Sequence, residues 1–168
     1  MKRFTLILLL LVAISIASCS GSTTEPAASA GTPGEMTIEN VWGRNSPMAA
    51  ANGAFYMTIT NYTGTDDQLI GATAEVCSVA ELHEMYMKEN EVMGMRQVEG
   101  GVINIPDGES IELKAGGLHV MCLDKIRALE LDEEIPITLT FANAGDIDVM
   151  AVIRESAVED MEGMDHDN

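Results

Sequence analysis

The sequence predicts an all-β domain built as an antiparallel sandwich or a Greek-key barrel. Three observations support this class: apolar and polar residues alternate in short runs, turn-forming residues separate the runs, and no segment carries a helical apolar stripe of ten or more residues. In the clearest run Phe55, Met57 and Ile59 alternate with tyrosine and threonine, which is typical of a half-buried strand. The pattern alone leaves the sandwich and the barrel as alternatives.

Nine further runs predict the remaining strands. In chain order they lie at 36–42, 69–74, 80–88, 92–98, 103–105, 110–113, 118–123, 135–142 and 147–153. Gly, Asn, Asp and Pro mark turns between several of them, at 61–64, 106–108, 115–117 and 143–146. We expect Met57 and Met150 to fill the core, which is the usual role of methionine in a β-rich domain.

The start of the chain predicts export from the cytoplasm. Lys2 and Arg3 precede an apolar run at 6–16, which has the length of a signal peptide and is short for a membrane-spanning helix. The residues Ile-Ala-Ser-Cys at 16–19 resemble a bacterial lipobox, so we expect Cys19 to carry a lipid anchor. The alternative is a plain signal peptide cut near the same place. Either outcome places the protein in the periplasm or at the cell surface.

Composition divides the chain into four parts. Small and polar residues predict a flexible tether after the signal peptide, and an acidic, polar tail follows the folded region. The predicted parts are a signal peptide at 1–18, the lipidated cysteine and tether at 19–35, one domain at 36–154 and a disordered tail at 155–168.

The charge makes nucleic acid a poor partner. The chain has 27 acidic and nine basic residues, a net charge of −18, and loss of Lys2 and Arg3 with the signal peptide takes it to about −20. Binding to phosphate requires a basic surface, whereas this one favours a cationic partner or cargo.

Methionine and histidine are concentrated in two places. On a strand, side chains two residues apart share a face, so His83, Met85 and Met87 are predicted to point the same way. A hairpin over 80–98 returns a second pair, Met93 and Met95. A third strand adds the pair His119 and Met121. Three short strands can therefore bring two imidazoles and several thioethers together.

These donor types indicate copper. Thioethers are soft ligands and, together with imidazole, suit Cu(I) far better than Zn²⁺, Mg²⁺ or Ca²⁺. A thioether has no proton to lose, so its ligation does not weaken directly as pH falls. It also avoids the oxidation that threatens a thiolate site outside the cytoplasm. The spacing therefore predicts a copper site that uses methionine and histidine.

Several segments resemble the periplasmic copper-A chaperone family (PCuAC). They are Val-Trp-Gly-Arg at 41–44 and the stretches at 54–61, 81–84, 93–101 and 113–121. The resemblance runs in order through 36–152. It implies a cupredoxin-like β-barrel that binds one Cu(I) and delivers it towards the copper-A centre of cytochrome c oxidase. The implied recipient is cytochrome c oxidase subunit II or another copper chaperone.

The resemblance also implies the ligands. Carried over by position, they are two histidines and two methionines: His83, Met95, His119 and Met121. The family often has methionine directly after its first histidine, where this chain has Glu84. Met85 is therefore a possible alternate ligand, and Met93 is a weaker rival of Met95.

The tail resembles a reduced form of the Met/His-rich tails that some such proteins carry. Met161, Met164 and His166 are candidates for a weak second copper site, with nearby aspartates suited to Cu(II). The alternative is an ordinary solvated acidic tail.

Two cysteines lie within the predicted domain. Cys77 and Cys122 do not form a C-x-x-C motif, and two cysteines in one small exported domain often pair, so we expect a structural disulfide. Cys122 as a copper ligand beside Met121 is disfavoured, because adjacent strand residues face opposite ways.

Two other functions remain open at this point. One is an electron-transfer cupredoxin, which requires a thiolate with two imidazoles and a weak axial methionine. The other is a metal-free lipoprotein interaction module with an immunoglobulin-like sandwich. We do not expect an enzyme, because no Ser/His/Asp arrangement, phosphate loop or activated cysteine stands out.

Overall fold

The computed structural model describes residues 34–88 and 92–155. Within these residues the regular structure is β apart from one 3-10 turn at Glu99–Gly101, so the all-β prediction is confirmed. The strands are β1 Met36–Arg44, β2 Gly53–Asn61, β3 Asp67–Thr73, β4 Cys77–Met87, β5 Met93–Gln97, β6 Ile103–Ile105, β7 Ser110–Leu113, β8 His119–Lys125, β9 Glu134–Phe141 and β10 Gly145–Arg154. Within the described ranges, no helix has the length and apolar character needed to cross a membrane.

All ten predicted strands are present, with ends that differ by a few residues. The largest difference is at β4, which begins at Cys77 instead of residue 80. Its added residues pair with β8 through Cys77 opposite Lys125 and Val79 opposite Leu123. Pairing with a distant strand extends β4 where the local sequence carries little apolar alternation.

Some predictions fall on residues that the structure does not describe. These are the signal peptide, Cys19, nearly all of the tether, the centre of the hairpin turn at 89–91, and the tail with Met161, Met164 and His166.

The strands form one hydrogen-bonded path in the order β5-β4-β8-β2-β1-β10-β9-β3-β6, with β7 also paired to β2. Only β1 and β10 pair in parallel; the other strand pairs in the described part of the chain are antiparallel. The path does not close between β5 and β6. The Met- and His-bearing strands β5, β4 and β8 are therefore neighbours at one end of the sheet.

The core is built from alternate residues of the strands. In β2, Phe55, Met57 and Ile59 are at most 2% exposed, so the prediction for Met57 is confirmed. The prediction for Met150 is wrong, because its side chain is 50% exposed. β10 points Ala151 inward and Met150 outward, and the apolar run at 149–153 hides this alternation from a sequence pattern.

Asp67 ties the start of β3 to the turn between β9 and β10. Its carboxylate is 3% exposed and accepts hydrogen bonds from the backbone amides of Gln68 at 2.7 Å, Asn143 at 2.9 Å and Ala144 at 2.9 Å. Burial alone raises the pKa of this carboxyl, but the amide hydrogen bonds outweigh burial and hold the pKa below its usual 3.8. The ionised carboxylate therefore stabilises the folded state.

We expect Asp67→Asn to lower the free energy of unfolding by about 1–3 kcal/mol at neutral pH, because the new amide group cannot accept all three hydrogen bonds. The wild-type contribution is fully present above pH 3.8 and is lost as pH falls through the lower folded-state pKa. Urea unfolding at pH 7 and in acid measures the difference in free energy of unfolding between the wild type and Asp67→Asn. We expect this difference to be smaller in acid. Asp146→Asn, an exposed change on the β9–β10 hairpin, is the control. Equal losses in the two variants would contradict the prediction.

Cys77 and Cys122 are joined by a disulfide between β4 and β8, with their Cα atoms 5.2 Å apart. The Cys122 side chain is fully buried and packs in the core, whereas its neighbour Met121 lines a surface cavity. The two side chains thus point to opposite faces of β8, as expected for adjacent strand residues.

Candidate metal centre

The register of three strands gathers the predicted ligands on one face. His83 on β4 lies directly opposite His119 on β8. Met85, two residues along β4, lies opposite Met95 on β5. Met121, two residues along β8, pairs with both Glu81 and Ala54. The same-face relationships predicted for these strands are therefore present.

The two imidazole rings face each other across β4 and β8. Their centroids are 5.9 Å apart and their planes are inclined at 59°. At this separation both rings can reach a single ion placed between them, because metal–nitrogen bonds to histidine are about 2 Å long.

His119 is held in one tautomer. Its Nδ1 lies 3.1 Å from the carbonyl oxygen of Gly117, which only accepts hydrogen bonds, so Nδ1 carries the proton and Nε2 keeps a free lone pair. Burial lowers the pKa of His119 below its usual 6.5; the nearby His83 lowers it further, while the Gly117 hydrogen bond opposes the shift. The neutral, metal-binding form therefore persists at mildly acidic pH.

His83 is held in the other tautomer. Its Nε2 lies 2.8 Å from Oε2 of Glu81, and a carboxylate accepts, so Nε2 carries the proton. Its Nδ1 is buried and has no hydrogen-bond partner among the residues at 34–88 and 92–155. A buried acceptor without a partner costs free energy unless something else satisfies it. A metal ion bound at Nδ1 fits this atom.

On the sequence-based prediction that His83 ligates Cu(I), we expect Glu81→Gln to weaken that binding about 10- to 100-fold, because the hydrogen-bond partner of a ligating histidine fixes the tautomer and raises the basicity of the ring. Competition with a Cu(I) chelator under anaerobic conditions measures the change. Glu84→Gln is the matched control, since Glu84 lies on the opposite face of β4 and pairs with Arg96 at 2.8 Å. Equal affinity in the two variants would show that the Glu81 contact has no effect on the site.

The thioethers line a surface cavity of about 510 Å³. Met85, Met95 and Met121 contribute to its wall together with His119. Met121 and His119 are deep, at 8% and 3% exposed, whereas Met95 is 53% exposed. His83 is not among the described residues that line this cavity, but its ring centroid is 5.9 Å from that of His119, which does line it.

The two alternate ligands differ in position. Met85 lines the cavity opposite Met95. Met93 is 46% exposed, lies one same-face step further along β5, and is outside the cavity lining. The geometry therefore favours Met85 over Met93 as a supplementary donor.

The loop between β1 and β2 also lines the cavity, through residues that include Pro47, Ala50 and Asn52. Lys125 is 4% exposed, and its ammonium donates to the carbonyl oxygens of Pro47, at 2.7 Å, and Ala50. Ser46 Oγ donates to the carbonyl oxygen of Asn52 at 2.9 Å. The buried Lys125 side chain thus holds the β1–β2 loop in its position beside the cavity through these hydrogen bonds.

Two aromatic side chains, Tyr56 and Trp42, extend from the His119 side of the site. The ring centroids of Trp42 and Tyr56 are 4.5 Å apart, and Tyr56 is 6.3 Å from His119. Sequence reasoning did not identify Tyr56 or Glu81 as parts of this site. For Glu81 a signal existed, because it lies two residues before His83 and so on the same face of the strand.

The chain matches the family model described as "Putative lipoprotein LpqE-like" over residues 36–153. It belongs to this family. The chain is also similar to "Putative lipoprotein Lxx21020" from Leifsonia xyli subsp. xyli (strain CTCB07). The two sequences are 28% identical over 150 residues, and the match covers 86% of this chain and 87% of the relative.

Solved structures share the fold of this LpqE-like protein. The apo PCuAC domain from PmoF1 is 25% identical, with a TM-score of 0.62 over 75% of this chain and 98% of that one. The copper-bound PCuAC domain from PmoF2 is 20% identical, with a TM-score of 0.59 over 75% and 97%. Cu(I)-bound DR1885 from Deinococcus radiodurans is 24% identical, with a TM-score of 0.54 over 80% and 87%. The PCuAC resemblance and the cupredoxin-like fold class are confirmed.

Proposed function

We propose that this LpqE-like protein is an extracytoplasmic copper chaperone that binds one Cu(I) through His83, Met95, His119 and Met121. The observation that carries the proposal is the neighbouring pair of imidazoles, each with one nitrogen that has no hydrogen bond to the described residues, next to a cavity lined by thioethers. Two imidazoles and two thioethers form a neutral, soft donor set that suits Cu(I).

The graded exposure of the donors supports transfer of the ion. His119 and Met121 hold copper at the buried side, while Met95 is 53% exposed at the mouth. An incoming ligand from another protein can replace the exposed thioether first, and the ion then moves one bond at a time. A copper chaperone needs both tight binding and such an accessible exchange position.

The names of similar structures agree with this proposal. The PmoF2 domain is titled copper-bound and the Deinococcus protein is titled as its Cu(I) form. We extend copper binding to this chain because it shares their fold and brings suitable donors together.

The disulfide argues against an electron-transfer cupredoxin. A blue-copper site needs a cysteine thiolate. The cysteines in the described residues, Cys77 and Cys122, are bonded to each other, and a disulfide sulfur is not a thiolate.

The packing argues against a metal-free interaction module. In that case the methionines would serve as core, as Met57 does. Met85, Met95 and Met121 instead lie outside the main hydrophobic core and face the cavity. We accordingly propose a transport role without catalysis.

Anaerobic titration of the full chain with Cu(I), in competition with a chromogenic chelator, tests the function. We expect one tightly held Cu(I) per chain and a loss of about 10-fold or more in Met95→Leu, because leucine keeps the apolar volume and removes the donor sulfur. Met150→Leu changes an equally exposed methionine on β10 and should have no effect. Failure of the wild type to compete for copper would reject the proposal.

Met85→Leu and Met93→Leu extend the same titration to the alternate ligands. A loss in Met85→Leu close to that in Met95→Leu would place Met85 among the donors.

We further propose that Cys19 anchors the chain to a membrane and that the copper-A centre of cytochrome c oxidase, or another copper chaperone, receives the ion. Lipidation is supported by the lipobox-like sequence, the LpqE-like family and the Leifsonia relative named as a lipoprotein.

A weak Cu(II) site at Met161, Met164 and His166 remains a separate proposal. Deletion of residues 159–168 should remove a weak Cu(II)-binding event and leave tight Cu(I) binding unchanged.

A further inference from the structure

The β4–β5 hairpin carries a second pair of methionines beyond the cavity. Each pair of opposing residues in the hairpin is called a rung. Two backbone hydrogen bonds identify the hydrogen-bonded rungs: Lys88 N–H donates to Val92 O at 2.8 Å, and Val98 N–H donates to Leu82 O at 2.9 Å. Alternate rungs of an antiparallel pair are non-hydrogen-bonded, and there the opposing Cα atoms are only about 4.5 Å apart.

Both methionine pairs occupy such close rungs. Met85 lies opposite Met95, and Met87 lies opposite Met93, on the same face of the hairpin. Successive same-face rungs are about 7 Å apart along a strand. The two thioether pairs are therefore consecutive steps on one surface, the inner pair lining the cavity and the outer pair lying beyond it.

Among the residues that the structure describes, the outer pair does not pack into the hydrophobic core. Met87 and Met93 are 60% and 46% exposed, and neither belongs to the hydrophobic core or to the residues packed against it. Two large apolar side chains placed opposite each other in water need another explanation than core filling.

The other face of the hairpin is fixed by polar contacts. The guanidinium of Arg96 lies 4.5 Å from the centroid of the Tyr86 ring, and its Nε donates to Glu84 Oε1 at 2.8 Å. These contacts help to keep β4 and β5 in register and so keep Met87 next to Met93.

We propose that Met87 and Met93 form an outer Cu(I) site that passes the ion to the inner ligands. This inference rests on the proposed chaperone function, because an outer site matters only if the inner one holds copper. Two neutral thioethers bind a soft ion without releasing protons and hold it less firmly than four donors. Transfer is a ligand exchange: bonds to the Met87 and Met93 sulfurs break as bonds to Met95 and its neighbours form, and copper stays Cu(I).

Ag(I), a soft monovalent ion of the same d¹⁰ configuration, can test the outer site in air. The full chain, labelled with ¹³C in its methionine methyl groups, is titrated and followed by NMR. We expect the first equivalent to shift the methyl signals of Met95 and Met121 and the second to shift those of Met87 and Met93. The signal of Met150, an exposed methionine on β10 outside both methionine pairs, is the internal control.

In the double variant Met87→Leu/Met93→Leu, the first equivalent of Ag(I) should still shift the methyl signals of Met95 and Met121. The double substitution should also slow Cu(I) loading of the inner site from a chelated donor several-fold, whereas Met150→Leu should not. The inference is overturned if Met87 and Met93 respond no more than Met150, or if loading is equally fast in the double variant.

The two proposals fail in different ways. If the inner signals respond and the outer ones do not, the chaperone function stands and the outer site is wrong. If Met95 and Met121 do not respond, the chaperone function fails and the transfer route fails with it.

Discussion

Replacing both His83 and His119 by alanine is expected to abolish tight Cu(I) binding. Mutation of a partner that merely orients a metal-binding histidine typically costs 10- to 100-fold in affinity, so removal of both ligating rings should cost more than roughly 100-fold. The remaining thioethers hold Cu(I) only weakly. Anaerobic competition with a chromogenic chelator measures the loss.

The third histidine of the chain supplies the control for this experiment. His166→Ala removes an imidazole from the acidic tail and should retain tight binding. The Tm of each copper-free variant reports folding, which matters because His119 is 3% exposed. A folded double variant that binds Cu(I) as tightly as the wild type would show that the imidazoles are not the ligands.

Loss of the disulfide is expected to have the largest effect on stability. Residues 77 and 122 are 45 apart in sequence, and closing a loop of this length corresponds to about 4 kcal/mol of unfolded-state entropy. We expect Cys77→Ser/Cys122→Ala to lose about 2–5 kcal/mol in urea unfolding, with alanine chosen at 122 because that side chain is fully buried.

Reduction of the wild-type protein is the matched control for the double variant, since it breaks the bond without changing the sequence. Both should unfold at similar urea concentrations. Intact-mass analysis under non-reducing conditions reports the bond directly, and two free thiols would contradict the prediction. Because β4 and β8 carry both histidines, the same variant should also bind copper less tightly.

Local alternation made the strands and the shared faces predictable. Side-chain direction repeats every two residues, so His83 with Met85, and His119 with Met121, could be placed on common faces before any pairing was known. The hairpin was also predictable, because a polar turn separates two β-rich runs that are close in sequence.

Contacts between distant segments were not predictable in this way. Nothing local indicates that β8 lies between β4 and β2, or that Lys125 pins a loop about 75 residues earlier in the chain. Met150 illustrates the same limit, since its exposure depends on the pairing of β10 with β9 and β1. Strand order and register follow from packing of the whole domain.

Because β1 and β10 pair in parallel, both strands end at the same side of the domain, and the two opposite ends of β1 define two poles. Met36 begins β1 at one pole, and Arg44 ends it at the other pole, beside the cavity. Arg154 at the end of β10 pairs with Arg44, so β10 also ends at the cavity pole. An anchor attached ahead of Met36 would therefore join the domain at the pole opposite the cavity, which keeps the point of attachment away from the candidate metal centre.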